Sequence, residues 1–459
     1  MNTSIHKKYV HGYNLHESTR LQDQAVTLVE LLHSDTSYPA GSKVLEAGCG
    51  VGAQTITLAR NSPDAQITSI DISENSLKEA KKKTESEGIK NVNFQQGDIF
   101  RLSFEPESFD HIFVCFVLEH LSQPLEALKF LKRLLKKGGT ITVIEGDHGS
   151  TFFHPDNDDA RKVIDCQVQL QAKAGGNANI GRELYPLLDA SGFSSVCVSP
   201  RFVYVDSSKP KLVEGFTKNT FTAMIKGIHE TAVNEGLIDK NTFDKGIKAL
   251  YKTAEANGVF CYTFFKAVAV KETLEQKIAR VTTEEVDVEP YNPLWKNMFE
   301  TERDHLLSCV PSGFIKRIEH FGSTAVPGLS AKPIVDMLVE VESLEKTKSK
   351  VAPVLEAKGY DYFWRPSFGD DTPPFYAWFI KRDDHGKRTH HIHMIEAAFE
   401  SWERLLFRDY LIEHSKAAKE YSDLKIKLSK EHKGDRITYT KAKTDFITEI
   451  TNLAKEYYK

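Results

Sequence analysis

Residues 44–55, VLEAGCGVGAQT, decide the fold of the first half of the chain. An apolar run ends in three alternating glycines, Gly48, Gly50 and Gly52, and a helix-type segment follows at once. Glycines at a strand-to-helix turn permit a tight bend and let the backbone come close to a ligand at the helix N-terminus. The stretch therefore predicts a strand, a ligand-binding turn and a helix.

Two acidic residues follow at the ends of the next two strand-type runs. Asp71 closes QITSID, and Asp98 follows NVNFQQG. In an open α/β sheet, ligands bind beyond the carboxyl ends of the strands, where both acids are expected. A carboxylate at Asp71 can accept hydrogen bonds from both hydroxyls of a ribose, and Asp98 can accept one from an adenine amino group.

Strand-type and helix-type segments alternate up to about residue 150. SENSLKEAKKKTESEGI, for example, reads as a helix with a cap at Ser73 and a stop at Gly88. Alternation at this spacing implies right-handed crossovers and a parallel sheet. We therefore predict a doubly wound, Rossmann-like α/β domain over residues 1–272. Its mixed part, residues 151–272, is expected to complete the sheet and to add a helical insertion that can cover a substrate.

The pattern E-x-G-x-G-x-G at residues 46–52, with the two acids, resembles the class I S-adenosylmethionine-dependent methyltransferases. FDHIFVCFVLEHL and LLKKGGTITVIEGD are similar to that family's fourth and fifth strand motifs. The resemblance covers residues 40–150 and extends to 272 by connection. It implies S-adenosyl-L-methionine as cofactor. The residues it places against that cofactor are Glu46, Gly48, Cys49, Gly50, Gly52, Asp71, Ile72, Asp98 and Ile99.

Two other interpretations of the loop were weighed. A dinucleotide oxidoreductase is disfavoured, because the spacing is G-x-G-x-G rather than G-x-G-x-x-G and Asp98 would be unexplained. Glycines that serve only helix–strand packing are the other alternative.

The methyl acceptor is less clearly marked than the cofactor. The segment CFVLEHL lacks the N/D-P-P-Y/F pattern of enzymes that methylate nucleic-acid amino groups, which favours a small molecule. Glu119 and His120 are catalytic candidates, and His120 can serve as a base. The alternative is that both only shape the start of a helix. A polar group after the fifth strand-type run forms a pocket wall or a solvated loop: Glu145, Asp147 and His148.

The N-terminal segment, residues 7–32, resembles the lid helix that small-molecule methyltransferases fold over the cofactor. Tyr9, Tyr13 and Arg20 can then touch cofactor or substrate. A plain surface helix is the alternative.

Composition sets the wider limits. The chain has 459 residues, a net charge of -4 and 40% hydrophobic residues, which predicts two or three soluble domains without a nucleic-acid or membrane footprint. Six cysteines without C-x-x-C spacing favour a reducing, cytoplasmic location. Residues 273–285 are rich in charge and lack a sustained apolar face, so we predict a linker there. A second domain is expected over 286–459, beginning with a strand near residue 286.

A second glycine loop lies at residues 320–341, HFGSTAVPGLSAKPIVDMLVEV. Gly322 and Ser323, followed by Asp336 on a strand, resemble the nucleotidyltransferase fold, in which such a turn holds a triphosphate and strand carboxylates hold magnesium. Six collinear stretches over about 286–450 resemble the GrpB family, whose fold is similar to nucleotidyltransferases. They are VEPYNPLW, EHFGSTAVPGLSAKPIVDMLVEV, GYDYF, HHIHMIE, FRDYLIEHSKAAKEYSDLK and YTKAKTDFI.

Asp336 is the candidate catalytic and metal-binding residue of this α+β domain. Leu338 stands where the nucleotidyltransferase pattern has a second acid, and Glu340 lies roughly 13 Å along the strand, too far to share an ion. His391 and His393 share one strand face and can line a ligand site. The predicted ligand-binding residues are Gly322, Ser323, Lys332, His391, His393 and Arg408, with further positive charge available from Arg365, Arg382 and Lys443. Arg408 with Asp409 can instead be a structural ion pair.

The sequence therefore predicts a methyltransferase for a small molecule, joined to a GrpB-like domain with an anionic or nucleotide ligand. Two interpretations of the second domain stay open. It transfers a nucleotidyl or phosphoryl group, or it is an inactive module that binds a ligand or a partner. The methyl acceptor and the oligomeric state are not encoded in any motif.

Overall fold

A computed structural model of the protein describes residues 27–283, 286–366, 373–383 and 386–459. The chain divides between Thr273 and Leu274 into two compact units. Tyr9, Tyr13 and Arg20 lie outside the described residues, and of the predicted lid segment only residues 27–32 are described, in a helix that continues to 33.

The first unit contains a seven-stranded sheet in the order β3-β2-β1-β4-β5-β7-β6. Strands β1 to β5 run parallel to one another, and β7 is inserted antiparallel between β5 and β6. This confirms the predicted doubly wound α/β fold. The strands are β1 (Lys43–Ala47), β2 (Gln66–Asp71), β3 (Val92–Gln96), β4 (Phe109–Cys115), β5 (Leu135–His154), β6 (Ser194–Val205) and β7 (Val259–Val270).

Helices connect these strands, and the helix Glu74–Ser86 is capped as its sequence predicts. The Ser73 side chain accepts a hydrogen bond from the Ser76 backbone at 3.2 Å, and Gly88 follows the same helix with φ +69°. The longer helices are α1 (Thr55–Asn61), α2 (Glu74–Ser86), α3 (Pro124–Leu134), α4 (Asp158–Lys173), α5 (Leu184–Ala190) and α6 (Lys240–Lys252). Shorter turns are Ile99–Arg101, Leu118–His120, Ile180–Glu183, Pro210–Leu212, Ala223–Gly227 and His229–Asn234, and Val213–Thr222 forms a π-helix of ten residues.

The central strand β4 shows how the first unit is layered. Phe113 points into one hydrophobic cluster, whereas Ile112 and Val114 point into the other, and all three are fully buried. Such burial on both faces is typical of a parallel strand with helices above and below. The predicted helical insertion, residues 210–252, packs Phe216, Phe221 and further apolar side chains into the first of these clusters.

The second unit contains a five-stranded mixed sheet in the order β10-β11-β12-β9-β8. Strand β12 pairs parallel with β9, and the other pairings are antiparallel. The predicted strand near residue 286 is wrong, because the described residues from 286 onward form a single bridge there, Glu289 to Ala331. The strands are β8 (Ile315–Phe321), β9 (Val335–Val341), β10 (Asp361–Pro366), β11 (Phe375–Arg382) and β12 (Arg388–Ile395).

Helices of the second unit begin within the predicted linker. Residues Leu274–Thr283 form a helix, and its Lys277 side chain lies 3.5 Å from Glu356 and 5.2 Å from the Phe363 ring centroid. The longer helices are α7 (Leu274–Thr283), α8 (Leu294–Cys309), α9 (Arg404–Glu413), α10 (Ser415–Glu431), α11 (Arg436–Lys441) and α12 (Thr444–Tyr457). Shorter turns are Ser323–Ala325, Leu344–Lys346, Thr347–Val351, Ala352–Glu356 and Glu400–Glu403.

All four tryptophans of the chain belong to the second unit. Trp295 packs in the hydrophobic cluster that contains Met337 and Val339, whereas Trp378 packs with Leu338 on the opposite face of the sheet. Both indole side chains are buried. Among the described residues of the whole chain, no helix is long and apolar enough to cross a membrane.

Candidate functional sites

The first glycine loop has three glycines in the left-handed region, with different surroundings. Gly48, Gly50 and Gly52 have φ values of +80°, +52° and +76°. A Cβ at Gly48 would lie 2.5 Å from a Val117 methyl, and one at Gly52 would lie 2.9 Å from the Ala80 Cβ. A Cβ at Gly50 would meet no atom of the described residues within 4 Å. Gly48 and Gly52 thus serve close packing, and Gly50 faces open space that a ligand can enter.

Asp71 ties this loop to the end of β2. Its Oδ2 accepts a hydrogen bond from the Gly50 backbone at 2.8 Å, and its Oδ1 accepts one from the Ser73 backbone at 2.8 Å. Burial raises the pKa of this carboxyl, while the backbone hydrogen bonds oppose the shift. Ile72, the next residue, is 44% exposed. The carboxylate and an apolar side chain therefore stand together at the carboxyl edge of the sheet.

Asp98 and Ile99 begin the short turn after β3. The Asp98 side chain accepts a hydrogen bond from the Phe100 backbone at 3.0 Å, and Ile99 is buried. The Gln96 side chain donates to the Ile72 carbonyl at 3.0 Å, which joins this turn to the end of β2. The structure thus brings the predicted acid after β3 to the same edge as the glycine loop.

Glu46 and Cys49 are buried beneath the loop. Oε2 of Glu46 accepts hydrogen bonds from the hydroxyls of Thr55 at 2.7 Å and Ser69 at 2.6 Å. Burial raises the pKa of Glu46 to about 7 and also raises that of the Cys49 thiol. This geometry makes Glu46 a support that fixes the strand end to the first turn of α1.

Glu119 and His120, which follow the end of β4, come together with Glu145, which lies within β5. Oε1 of Glu145 accepts hydrogen bonds from the backbones of Val117 at 3.0 Å and Leu118 at 2.7 Å, which holds the turn that carries Glu119 and His120. Nε2 of His120 lies 3.5 Å from Oε1 of Glu119. Burial and the charge of Glu119 raise the pKa of Glu145 well above its usual value.

Asp147 and His148 have structural partners in the first unit. Asp147 forms two hydrogen bonds with the Arg182 guanidinium, at 2.7 and 2.9 Å, and its side chain is 3% exposed. Nδ1 of His148 lies 3.1 Å from the Ala178 carbonyl and 3.2 Å from the Tyr262 hydroxyl. These contacts join the end of β5 to the turn that follows α4, so a solvated loop is excluded for both residues.

Sequence reasoning missed two residues around Glu119. The Gln171 side chain on α4 donates to the Glu119 carbonyl at 3.0 Å and to its Oε2 at 3.2 Å. Phe116 has φ +58°, unusual for a residue with a side chain, and its ring centroid lies 5.5 Å from that of Phe264. The signal for Gln171 was weak, because it is 52 residues away from Glu119 along the chain.

The second glycine loop brings Gly322 against Asp336. Gly322 has φ +75°, and a Cβ there would lie 2.5 Å from Oδ2 of Asp336. Oδ1 of Asp336 is 3.2 Å from Nδ1 of His391 on the neighbouring strand. Burial opposes ionisation, but the hydrogen bond and charge of His391 hold the pKa of Asp336 below its usual value. The predicted turn, acid and histidine therefore form one site.

The donor set around Asp336 does not fit a divalent cation. Leu338 is fully buried in the apolar cluster, and Glu340 lies 3.7 Å from Arg317 at the far end of the strand. Within the described part of the chain, no group of three histidine, cysteine or acidic residues can hold a metal ion. The metal predicted at Asp336 is therefore without support from the residues around it.

The two histidines of β12 have different surroundings. Nε2 of His391 lies 3.4 Å from the Arg388 guanidinium, so His391 joins Asp336 to a buried cation. The His393 ring lies against Tyr376, with centroids 5.4 Å apart, and against Phe321. Burial lowers the pKa of His393 well below its usual value. His391 belongs to the candidate site, and His393 belongs to an aromatic cluster beside it.

Three predicted arginines are held by other parts of the second unit. Arg408 lies 2.7 Å from Asp409, 3.1 Å from Glu319 and 2.7 Å from the His320 carbonyl, which is the structural ion pair that the sequence left open. Arg382 pairs with Asp361 at 3.0 Å. Arg365 lies 4.7 Å from the Trp378 ring centroid. A ligand that binds Arg408 would therefore have to replace one or more of these three hydrogen bonds.

Lysines from the C-terminal helices approach the second loop. Lys332 and Lys443 lie over the Tyr439 ring, and Lys425 on α10 donates a hydrogen bond to the Ser330 carbonyl. Lys425 was missed from the sequence. It stands four residues after buried Tyr421 and three before buried Leu428, which places it on the apolar face of α10. A lysine at such a position is the sequence feature that indicates burial.

Comparisons with known proteins match both units. The family model described as GrpB protein matches residues 285–453, and that of a methyltransferase domain matches 39–192. The glutamate-rich protein GrpB of Alkalihalophilus pseudofirmus is 36% identical over 169 residues, which are 37% of this chain and 95% of that protein. The UPF0157 protein YqkA of Bacillus subtilis is 38% identical over 175 residues, which are 38% of this chain and 48% of that protein.

The first unit also has a named relative. Demethylmenaquinone methyltransferase of Staphylococcus aureus is 39% identical over 112 residues, which are 24% of this chain and 46% of that enzyme. The chain thus spans about half the length of that enzyme and of YqkA. Fold, sites and matches define a protein that joins a methyltransferase domain to a second α/β domain. Through that second domain, the chain belongs to the GrpB family.

Proposed function

We propose that the first unit binds S-adenosyl-L-methionine and transfers its methyl group to a small molecule. The observation that carries the proposal is the open space above Gly50, which is bordered by the Asp71 carboxylate. Asp98 stands at the same edge of the sheet, so acceptors for a ribose and for an adenine amino group lie on one side of the loop. Glu46 and Cys49 support that loop from below.

The cofactor supplies an electrophilic methyl group on a sulfonium sulfur. A bound cofactor would offer this methyl group to a nucleophilic atom of the acceptor, so the main task of the protein's own residues would be to align the two. His120 is the proposed base for a proton released by the acceptor, and Glu119 orients its ring at 3.5 Å. Burial and the charge of Glu119 raise the pKa of Glu145, which favours its uncharged form and so limits the negative charge at this end of the site.

A matched pair of glycine substitutions tests cofactor binding. Gly50→Ala and Gly41→Ala both place a side chain at positive φ, and neither Cβ meets an atom of the described part of the chain within 4 Å. Both variants should lose roughly 1–2 kcal/mol of stability. Titration calorimetry with S-adenosylhomocysteine should show an affinity loss of about tenfold or more for Gly50→Ala alone, a cost of about 1.4 kcal/mol. Equal affinities for the two variants would contradict the proposal.

We also propose that the second unit binds a phosphate-bearing ligand, such as a nucleotide, at the Gly322–Ser323 turn. The supporting observation is that the turn, Asp336 and the lysine side chains lie in one region of the unit. The double variant Ser323→Ala, Lys332→Ala should weaken nucleotide binding by about tenfold or more, since hydrogen bonds to charged groups contribute about 1.5–3 kcal/mol each. Unchanged binding would end this proposal. Exposed Lys416→Ala is the control.

Nucleotidyl or phosphoryl transfer is the open alternative for the second unit. Asp336→Asn separates a transferase from a binding module, because only a transferase loses a second activity. We further propose a reducing, cytoplasmic location, which the six scattered cysteines support. Labelling of the thiols in freshly opened cells is the measurement, and stable disulfides would contradict it.

A further inference from the structure

The second unit buries lysine side chains that come from separate parts of the chain. Lys332 precedes β9, Lys425 lies on α10, and Lys443 lies between α11 and α12. Lys425 and Lys443 are only 2% and 9% exposed. Lysine is almost never buried to this degree unless an opposite charge pairs with it. The three lysines are therefore expected to lie near an opposite charge.

The three ammonium groups stand against two tyrosine rings. Nζ of Lys443 and Nζ of Lys332 lie 4.3 and 5.1 Å from the Tyr439 ring centroid, and Nζ of Lys425 lies 4.7 Å from that of Tyr421. Among the described residues, no carboxylate forms an ion pair with Lys332 or Lys443. The rings stabilise the cations through their π faces but leave their charge uncompensated.

Two arginines add to the positive charge. Arg436 and Arg388 both repel Lys332 and His391, and Arg388 is only 4% exposed. Burial and these neighbours lower the pKa of Lys332 well below its usual value. Burial lowers the pKa of Lys425 to about 7 and that of Lys443 to about 8. Asp336 is the carboxylate that opposes all three shifts.

Three buried lysines thus share one carboxylate, Asp336, and this carboxylate is already bonded to His391. Beside Asp336, a ligand with a single negative charge would leave one of the three ammonium groups without a compensating charge. A divalent cation would add to their repulsion. A ligand with several negative charges on one compact group compensates them, because each ammonium can donate hydrogen bonds to a phosphate oxygen.

We propose that Lys332, Lys425 and Lys443 form a site for a di- or triphosphate group, which they hold without a divalent cation. The inference rests on the phosphate-binding function proposed above and specifies the charge of the ligand and the groups that hold it. Free pyrophosphate and the phosphate chain of a nucleotide share this chemistry. Substitution of Lys425 or Lys443 tests this inference separately from the phosphate-binding function proposed above, because neither residue belongs to the Gly322–Ser323 turn.

The test is titration calorimetry of the full chain with pyrophosphate and, separately, with ATP, in EDTA and in excess Mg²⁺. Wild-type protein should bind in EDTA, and Lys425→Met and Lys443→Met should each weaken binding at least about tenfold. Lys419→Met, at an exposed position of the same helix, should bind as the wild type does. Tighter binding of ATP than of pyrophosphate identifies a nucleotide, and equal binding identifies the free anion.

Melting temperature separates loss of the site from loss of the fold. Methionine keeps the packing of the lysine stem and removes a buried charge, so both variants should melt at or above the wild-type temperature. Binding that requires Mg²⁺ and is equal in all the lysine variants would overturn the inference and leave the phosphate-binding function standing. No binding of either ligand, with or without Mg²⁺, would overturn both.

Discussion

Gly48, Gly50 and Gly52 share a motif and a backbone conformation, yet only Gly50 borders open space. The sequence predicts the turn, because alternating glycines after an apolar run are typical of a tight strand-to-helix connection. It does not distinguish the three positions, since Val117 and Ala80, which limit the space at Gly48 and Gly52, come from other elements. Individual roles within a motif depend on neighbours that the motif does not contain.

Lys443 gives a prediction about pH. Its pKa is about 8 in the folded protein and about 10.4 in an unfolded chain, so the unfolded state binds more protons between these values. Wild-type stability should therefore rise with pH across this range. Lys443→Met should be more stable than wild type by roughly 1–3 kcal/mol below pH 8. That advantage should shrink toward zero near pH 10.4, as followed by scanning calorimetry.

The charged and titratable groups around Lys443 remain in both proteins, but the charge of Lys443 lowers the pKa of Lys332 and of Lys425, so the stability difference reports the coupled titration of the three lysines. The groups around Lys443 are Lys332, Lys425, Asp336, Arg436 and Tyr439. A stability difference that does not change between pH 7 and 10.5 would show that Lys443 keeps an ordinary pKa.

Gly322 gives a second prediction at this scale. Gly322→Ala and Gly328→Ala both place alanine at positive φ, +75° and +78°, at a cost of roughly 1–2 kcal/mol. Only at Gly322 does the new Cβ meet another group, Oδ2 of Asp336, which should add roughly 1–3 kcal/mol. Urea unfolding of the two variants measures the difference. Equal losses would mean that Asp336 moves aside without cost.

Among the elements, strands and helices of the first unit follow closely from the sequence, because βαβ alternation depends on local periodicity. The strand predicted near residue 286 failed for the opposite reason. An extended segment becomes a strand only when a neighbour pairs with it, and here Ala331 offers a single bridge. Lys425 was missed because its partner Ser330 lies 95 residues earlier in the chain.

Helix α7 leads to a prediction about fragment boundaries. Its Lys277 lies close to Glu356, to the Tyr362 carbonyl at 3.4 Å and to the Phe363 ring, so the predicted linker packs on the second unit. A fragment of residues 286–459 should therefore be less stable than 274–459, by about 1–2 kcal/mol from lost helix packing and cation–π contact. Thermal melts of the two fragments measure this difference. Equal melting temperatures would mean that α7 does not stabilise the second unit and is only a linker.

Across the whole molecule, the two units have separate sheets and separate hydrophobic cores. Units with their own core are expected to fold alone. We predict that residues 1–273 and 274–459, produced separately, each give a cooperative unfolding transition. The first should also bind S-adenosylhomocysteine with the affinity of the full chain, as measured by calorimetry. A fragment without cooperative unfolding would show that the division at Thr273 does not correspond to a folding unit.

The placement of the tryptophans has a practical consequence. All four belong to the unit that starts at Leu274, and Trp295 and Trp378 lie in its two apolar clusters. Light at 295 nm excites tryptophan selectively, so the emission of the intact chain is a built-in optical reporter of the GrpB half. Far-ultraviolet circular dichroism records both halves together. When both signals are recorded during one denaturation, a change in circular dichroism without a change in tryptophan emission reports unfolding of the methyltransferase unit. The intact, unlabelled chain is sufficient for this measurement.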